Sequence, residues 1–276
     1  MSRLFQTLTI YVLWSIGVIT LFIGSCLTLR YQTMLNCRDG IVVCWKLNQL
    51  LTYTPIVLGI LFVYFAIYFL ILSKKTKKFT NALTLYKTDC YKSNEIEAFQ
   101  QKYSVQIQVV DCNHLLAFTF GFIHPQILVS TCLINLLEPY ELEAVLEHEY
   151  YHYRHRDPFK LSLWLSLARV FSFLPVSRKL YERYMVEKEI AADTFAINKV
   201  GIKSVASALY KLMTNVPTYS FAAVHFQNHS IQDTNMRIEV LLTGTYKRPS
   251  IPLLEWIRTI IHILFITFLI GCVSFL

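Results

Sequence analysis

The run His148-Glu149-Tyr150-Tyr151-His152 sets two imidazoles four residues apart with a carboxylate beside the first. Side chains at i and i+4 lie one above the other on a helix, so both rings can reach one metal ion at about 2.0–2.1 Å. Glu149 projects toward the ion's open position without ligating it, and from there it can take a proton from bound water. Amide hydrolysis needs a hydroxide-like nucleophile near neutral pH, and zinc lowers the pKa of its water from near 16 to about 7. One zinc ion is therefore expected, with His148 and His152 as ligands and Glu149 as general base. The alternative is a set of solvated polar residues on an amphipathic helix. A third protein ligand separates the two readings, because catalytic zinc requires one.

Glu187-Lys188-Glu189-Ile190-Ala191-Ala192-Asp193 supplies it. Ala191 and Ala192 let two helices approach closely, and Asp193 falls one turn after Glu189 on the same face. Glu189 is the expected third ligand, and Asp193 the acceptor for the free N–H of a ligating histidine. Taken alone, E-x-x-x-D reads equally as a salt-bridged helix surface. His155 follows His152 by three residues but lies between Arg154 and Arg156, as at a solvated helix end. His114, His124, His225 and His229 have no metal-like spacing.

These residues need elements to hold them. Pro139 suits a first helical turn, Leu142, Val145 and Leu146 recur at helical spacing, and Asp157-Pro158 ends the pattern. Upstream, 94–102 reads as a short helix and 103–110 alternates as a strand does. Residues 116–122 and 126–130 flank the turn signals of Gly121 to Pro125, so a small antiparallel sheet is expected. Downstream, 178–200 reads as a mixed-charge helix and 202–213 as an amphipathic one.

The chain has 276 residues, 54% of them apolar and only 16% charged. Its mean hydropathy is +0.42, and apolar residues gather in runs of the length, about 20, that crosses a bilayer. Membrane helices are expected at 4–29 and 50–73, with a C-terminal one within 251–276. Residues 1–73 thus form an anchor and 74–250 the water-exposed domain. A lipoprotein-type cleavage at Ile23-Gly24-Ser25-Cys26 is the alternative for the first run, whose apolar core exceeds that of a signal peptide. Lys74, Lys75, Lys77 and Lys78 follow the second run, while 31–49 holds only Arg38 and Lys46. The N-terminus and the 74–250 domain are therefore assigned to the cytoplasm and the C-terminus to the outside of a multi-pass plasma-membrane protein.

The apolar segment 161–175 is too short for a comfortable crossing, and a single crossing would strand Glu189 from His148. It is expected to be re-entrant or to pack at the membrane surface. Membrane flanks largely explain the net charge of +8, and basic residues without interleaved aromatics argue against nucleic-acid binding. Seven cysteines show no repeated C-x-x-C, which argues against a cysteine zinc site. Cys37 and Cys44 share the loop assigned outside, and their spacing leaves a disulfide open.

Ala117 to Val129 (AFTFGFIHPQILV), Glu141 to Pro158 (ELEAVLEHEYYHYRHRDP) and Glu189 to Ala196 (EIAADTFA) resemble the BlaR/MecR-type antirepressor membrane metallopeptidases, relatives of the Ste24 and HtpX proteases. The resemblance covers about half the chain. It implies a mainly α-helical integral membrane protein with an α+β zincin-like metallopeptidase domain. In it His148, His152 and Glu189 bind zinc, Glu149 is the general base, and Phe118, Phe120 and Gly121 border a substrate cleft whose sheet edge takes an extended peptide. Met236-Arg237-Ile238 with Leu241 looks like a later family element placing Arg237 near the site; a helix-surface arginine is the alternative.

The implied activity is zinc-dependent endoproteolysis of a cytoplasmic or membrane-proximal protein, for which a transcriptional repressor is the family precedent. The oligomeric state is left open. Sensor members carry a penicillin-binding domain after the last membrane helix and nothing here follows Leu276, so antibiotic sensing by this chain is not expected. Two alternatives are a zinc-locked, non-proteolytic signal transducer and a Ste24/HtpX-like quality-control protease.

Overall fold

The computed structural model describes residues 41–84, 87, 93–122, 124–215, 231–246, 248 and 250–273. The chain divides into two compact units. One comprises the residues up to Phe69, Ser166–Glu182 and those from Ser250 onward; the other comprises Leu70–Leu165 and Arg183–Pro249. The expected span at 4–29 lies outside the described residues, and so does the question of a Cys37–Cys44 bond.

Helix α1 covers Ile41–Thr84, 44 residues, so 41–49, read from the sequence as loop, is helical. Within it Val57–Ala82 is long and apolar enough to cross a membrane, the one such stretch among the described residues. Ile60, Phe62, Val63 and Leu70 are exposed along it, and an apolar band of that kind calls for lipid or protein cover. The helix does not stop at Lys74, because lysine is a good helix former. Leu72, Thr76 and Thr80, four residues apart, are buried along one side, and the Phe79 ring lies 6.1 Å from that of Phe118.

Helix α2 (Asn94–Tyr103) leads into strand β1 (Ile107–Val110), then β2 (Ala117–Phe120) and β3 (Gln126–Ser130). The sheet is mixed, not antiparallel as expected, with strand order β1-β3-β2. β2 and β3 form the anticipated antiparallel hairpin, with Phe118 opposite Leu128. β1 instead runs parallel to β3, with Ile107 beside Ile127. Burial explains the order, since Ile127, Leu128 and Val129 are fully buried and only a central strand satisfies both backbone edges there. One face carries Ile107, Val109, Ile127 and Val129 onto Leu142, Val145 and Leu146. The other gathers Val110, Leu116, Phe118, Phe120 and Leu128.

The β2–β3 turn depends on Gly121, whose φ of +92° suits glycine. A Cβ there would meet the His124 carbonyl oxygen at 2.4 Å.

After the short helix α3 (Thr131–Leu136), helix α4 runs from Pro139 to His155. The Glu138 N–H donates to Glu141 Oε2 at 2.8 Å and closes its first turn. Arg156 adopts a left-handed conformation, φ 51°, and ends it one residue before the dipeptide singled out as a stop. Helix α5 (Asp157–Val170) begins at once and has 14 residues. At about 1.5 Å per residue it is too short to cross about 30 Å of hydrocarbon. Helix α6 (Pro175–Val200) follows a turn. The chain doubles back there, as the Trp164 and Tyr184 ring centroids lie 6.0 Å apart. The apolar segment 161–175 is thus most of α5 plus that turn. Helices α7 (Ile202–Thr214), α8 (Ile231–Thr243) and α9 (Leu253–Val273) complete the order. α9 has 21 residues and exposes Ile257, Ile260, Ile261 and Leu264.

Candidate metal centre

His148 and His152 on α4 and Glu189 on α6 each bring one donor atom within 4.8 Å of the others. The two Nε2 atoms are 3.1 Å apart. His148 Nε2 lies 3.2 Å from Glu189 Oε2, and His152 Nε2 lies 3.7 Å from Glu189 Oε1. Ligands at 2.0–2.1 Å around a tetrahedral ion stand about 3.3 Å apart, so the spacing suits zinc. Ala196 of α6 is fully buried and clusters with Ala144 of α4.

The outer nitrogens fit the same ion. His148 Nδ1 lies 2.8 Å from Asp193 Oδ1, and His152 Nδ1 lies 2.7 Å from Asp157 Oδ2. An ionised carboxylate only accepts, so each Nδ1 carries the proton and each Nε2 turns its lone pair inward. Two imidazole nitrogens and a carboxylate thus converge on one point, where either a metal ion or protons on the rings balance the carboxylate charge. Asp193 is held from behind: Arg237 donates from Nε to Oδ2 and from Nη2 to Oδ1, both at 2.7 Å.

Residues 89–220 match the sequence model of peptidase family M48, and the three zinc ligands lie inside that stretch. A comparison with curated proteins finds no match. Among solved structures the chain is similar to "Crystal Structure of S. mikatae Ste24p", at 16% identity and a TM-score of 0.43, covering 87% of this chain. The chain spans 66% of that protein's length.

Around the three ligands burial opposes charge on the imidazoles, but the surrounding carboxylates outweigh it. Glu189 and Asp157 push His152 up to about 10, and Asp193 and Glu189 raise His148. Against the same burial, Lys188, His152 and His148 hold Glu189 well below the usual carboxylate range. Arg237 and His148 bring Asp193 down to about 2.

Protons therefore compete with the metal, since a ligating imidazole must be neutral. Zinc affinity is expected to rise between about pH 6 and 9, by up to about tenfold per unit for each displaced proton. Chelator competition across that range checks this, and a flat profile would contradict it. The zinc-free domain behaves oppositely. The raised His152 value gives stability fully present below its unfolded pKa, about 6.5, and lost as pH climbs through about 10. Asp193 gives stability present above about 3.9, its unfolded value, and lost as pH falls through about 2.

Several assignments shift. Phe118 and Phe120 are buried in the sheet's far-face cluster. Gly121 shapes the turn described above. Arg237 is buried and paired with Asp193. The His155 ring is tilted against that of Tyr151, centroids 4.0 Å apart, and its Nδ1 lies 2.8 Å from the Tyr151 carbonyl oxygen.

Three neighbours escaped the sequence reading: Asp157, taken only as a helix stop, Lys188, whose Nζ is 3.0 Å from Glu189 Oε1, and Thr119. The one sign of Asp157 in the sequence is its closeness to His152, five residues earlier. Asp157→Asn frees His152 to rotate and to take the other tautomer. Zinc affinity should fall about 10- to 100-fold, read by competition with a fluorescent chelator.

Proposed function

We propose that the chain is a membrane-embedded zinc endopeptidase that cuts a regulatory protein at the cytoplasmic face, in the manner of an antirepressor protease. The observation that carries this reading is the donor set: three protein ligands rather than the four of a structural site, with buried Glu149 next to the first of them. When bound at these ligands, zinc polarises the scissile carbonyl and acidifies water. Glu149 accepts the proton from the attacking water and returns it to the leaving amine nitrogen. Asp157 and Asp193 keep the ligand rings oriented, and the free edge of β2 offers an extended peptide backbone partners.

Membrane embedding draws support from Val57–Ala82 and its exposed apolar band. The lysines at 74–78, exposed at four positions, favour a cytoplasmic domain. The short α5 keeps His148 and Glu189 on one side, and α9 serves as the last span, with an external C-terminus.

The test compares the proteins of cells carrying the natural chain with those of cells carrying Glu149→Gln. An uncut transcriptional regulator accumulating in the variant supports the proposal. Accumulation of misfolded membrane proteins instead would point to quality control, and identical profiles would remove the peptidase reading.

A further inference from the structure

Thr119 sits on β2 between Phe118 and Phe120, whose rings fill the far-face cluster. Strand alternation turns Thr119 to the opposite face, where Ala117, Ile127 and Val129 pack in the apolar cluster that includes Leu142, Val145 and Leu146 of α4. A buried hydroxyl amid such neighbours needs a partner. Thr119 Oγ1 has two within reach, the Glu149 main-chain oxygen at 2.8 Å and Glu149 Oε2 at 3.0 Å.

The hydroxyl has one proton, so it serves one acceptor at a time. The carbonyl oxygen belongs to the fourth residue before Tyr153 on a continuous helix and already has a ladder partner. A hydrogen bond to an ionised carboxylate is roughly twice as strong as one to a neutral acceptor. We infer that Thr119 is a positioning residue that fixes the rotamer of Glu149, so that the carboxylate faces the metal's open position instead of swinging free. The main-chain oxygen is the resting acceptor whenever the side chain turns away. This rests on the reading of Glu149 as general base and adds a strand-borne residue to a site otherwise built from helices.

The test uses full-length protein in detergent with four variants, one of them the Glu149→Gln already described. Thr119→Val keeps the shape and removes the hydroxyl, Thr119→Ser keeps the hydroxyl, and Glu149→Ala removes the acceptor carboxylate. Turnover of a fluorogenic peptide library should fall roughly 10- to 100-fold in kcat for Thr119→Val, with KM and zinc content near the natural values. Thr119→Ser should restore most of the rate.

A double-mutant cycle gives a second readout without turnover. Thr119→Val should lower the melting temperature of the zinc-free protein less in the Glu149→Ala background than in the natural one, because the partner is already gone. Equal losses in both backgrounds assign the hydroxyl to the main-chain oxygen alone and overturn the inference. Full turnover by Thr119→Val where Glu149→Gln is inactive overturns the inference and leaves the general base standing. Equal turnover by the natural chain and Glu149→Gln overturns the peptidase reading and the inference with it.

Discussion

Glu189→Gln is expected to yield protein purified without zinc. Glutamine keeps the shape and one oxygen but loses the charge. In the site that charge faces both imidazoles, Lys188 Nζ at 3.0 Å and Arg237 Nη1 at 3.7 Å. Altering a group one shell further out already costs about 10- to 100-fold in metal affinity, so a lost ligand costs more. The variant also leaves buried cations under-compensated, and breaking a buried pair destabilises by roughly 3–5 kcal/mol. Elemental analysis and melting of the chelated protein read the two effects separately. Full zinc occupancy in this variant would show that Glu189 is not a ligand.

Glu149→Gln should do the reverse, keeping about one zinc per chain while lowering kcat about 10²- to 10⁴-fold. An amide is nearly isosteric with a carboxylate, and its oxygen still accepts from Thr119 Oγ1, so fold and ligand geometry are preserved. What disappears is a group able to take a proton from water. Peptide hydrolysis unchanged in this variant, or signalling that survives the loss of cleavage, would favour a zinc-locked transducer.

How readily each part of the site could be read from sequence follows from how its geometry is encoded. His148, Glu149 and His152 share one helical turn, so their spacing alone states the arrangement, and Glu189 with Asp193 repeats that logic on a second helix. Asp157 was harder, because its carboxylate reaches His152 only after Arg156 turns the chain into the left-handed region, a kink the residue type does not announce. Arg237 and Thr119 meet the site from elements far away in the chain, and a helix arginine or a strand threonine carries no periodic signature of its partner.

The sheet shows the same limit. Its hairpin followed from turn residues, whereas the parallel placement of β1 beside β3 depends on contacts across 20 positions. The unbroken Ile127-Leu128-Val129 run was the available sign that β3 is central, since a strand covered on both faces loses its alternation.

Gly121 gains a meaning beyond its turn. A methyl group at that position would collide with the His124 carbonyl oxygen, and relieving the collision means moving the end of β2 two residues from Thr119. The aim of the Glu149 carboxylate thus depends on the bare Cα of a loop glycine that is not among the metal ligands. Changes at position 121 would register as loss of catalytic alignment before any ligand is disturbed.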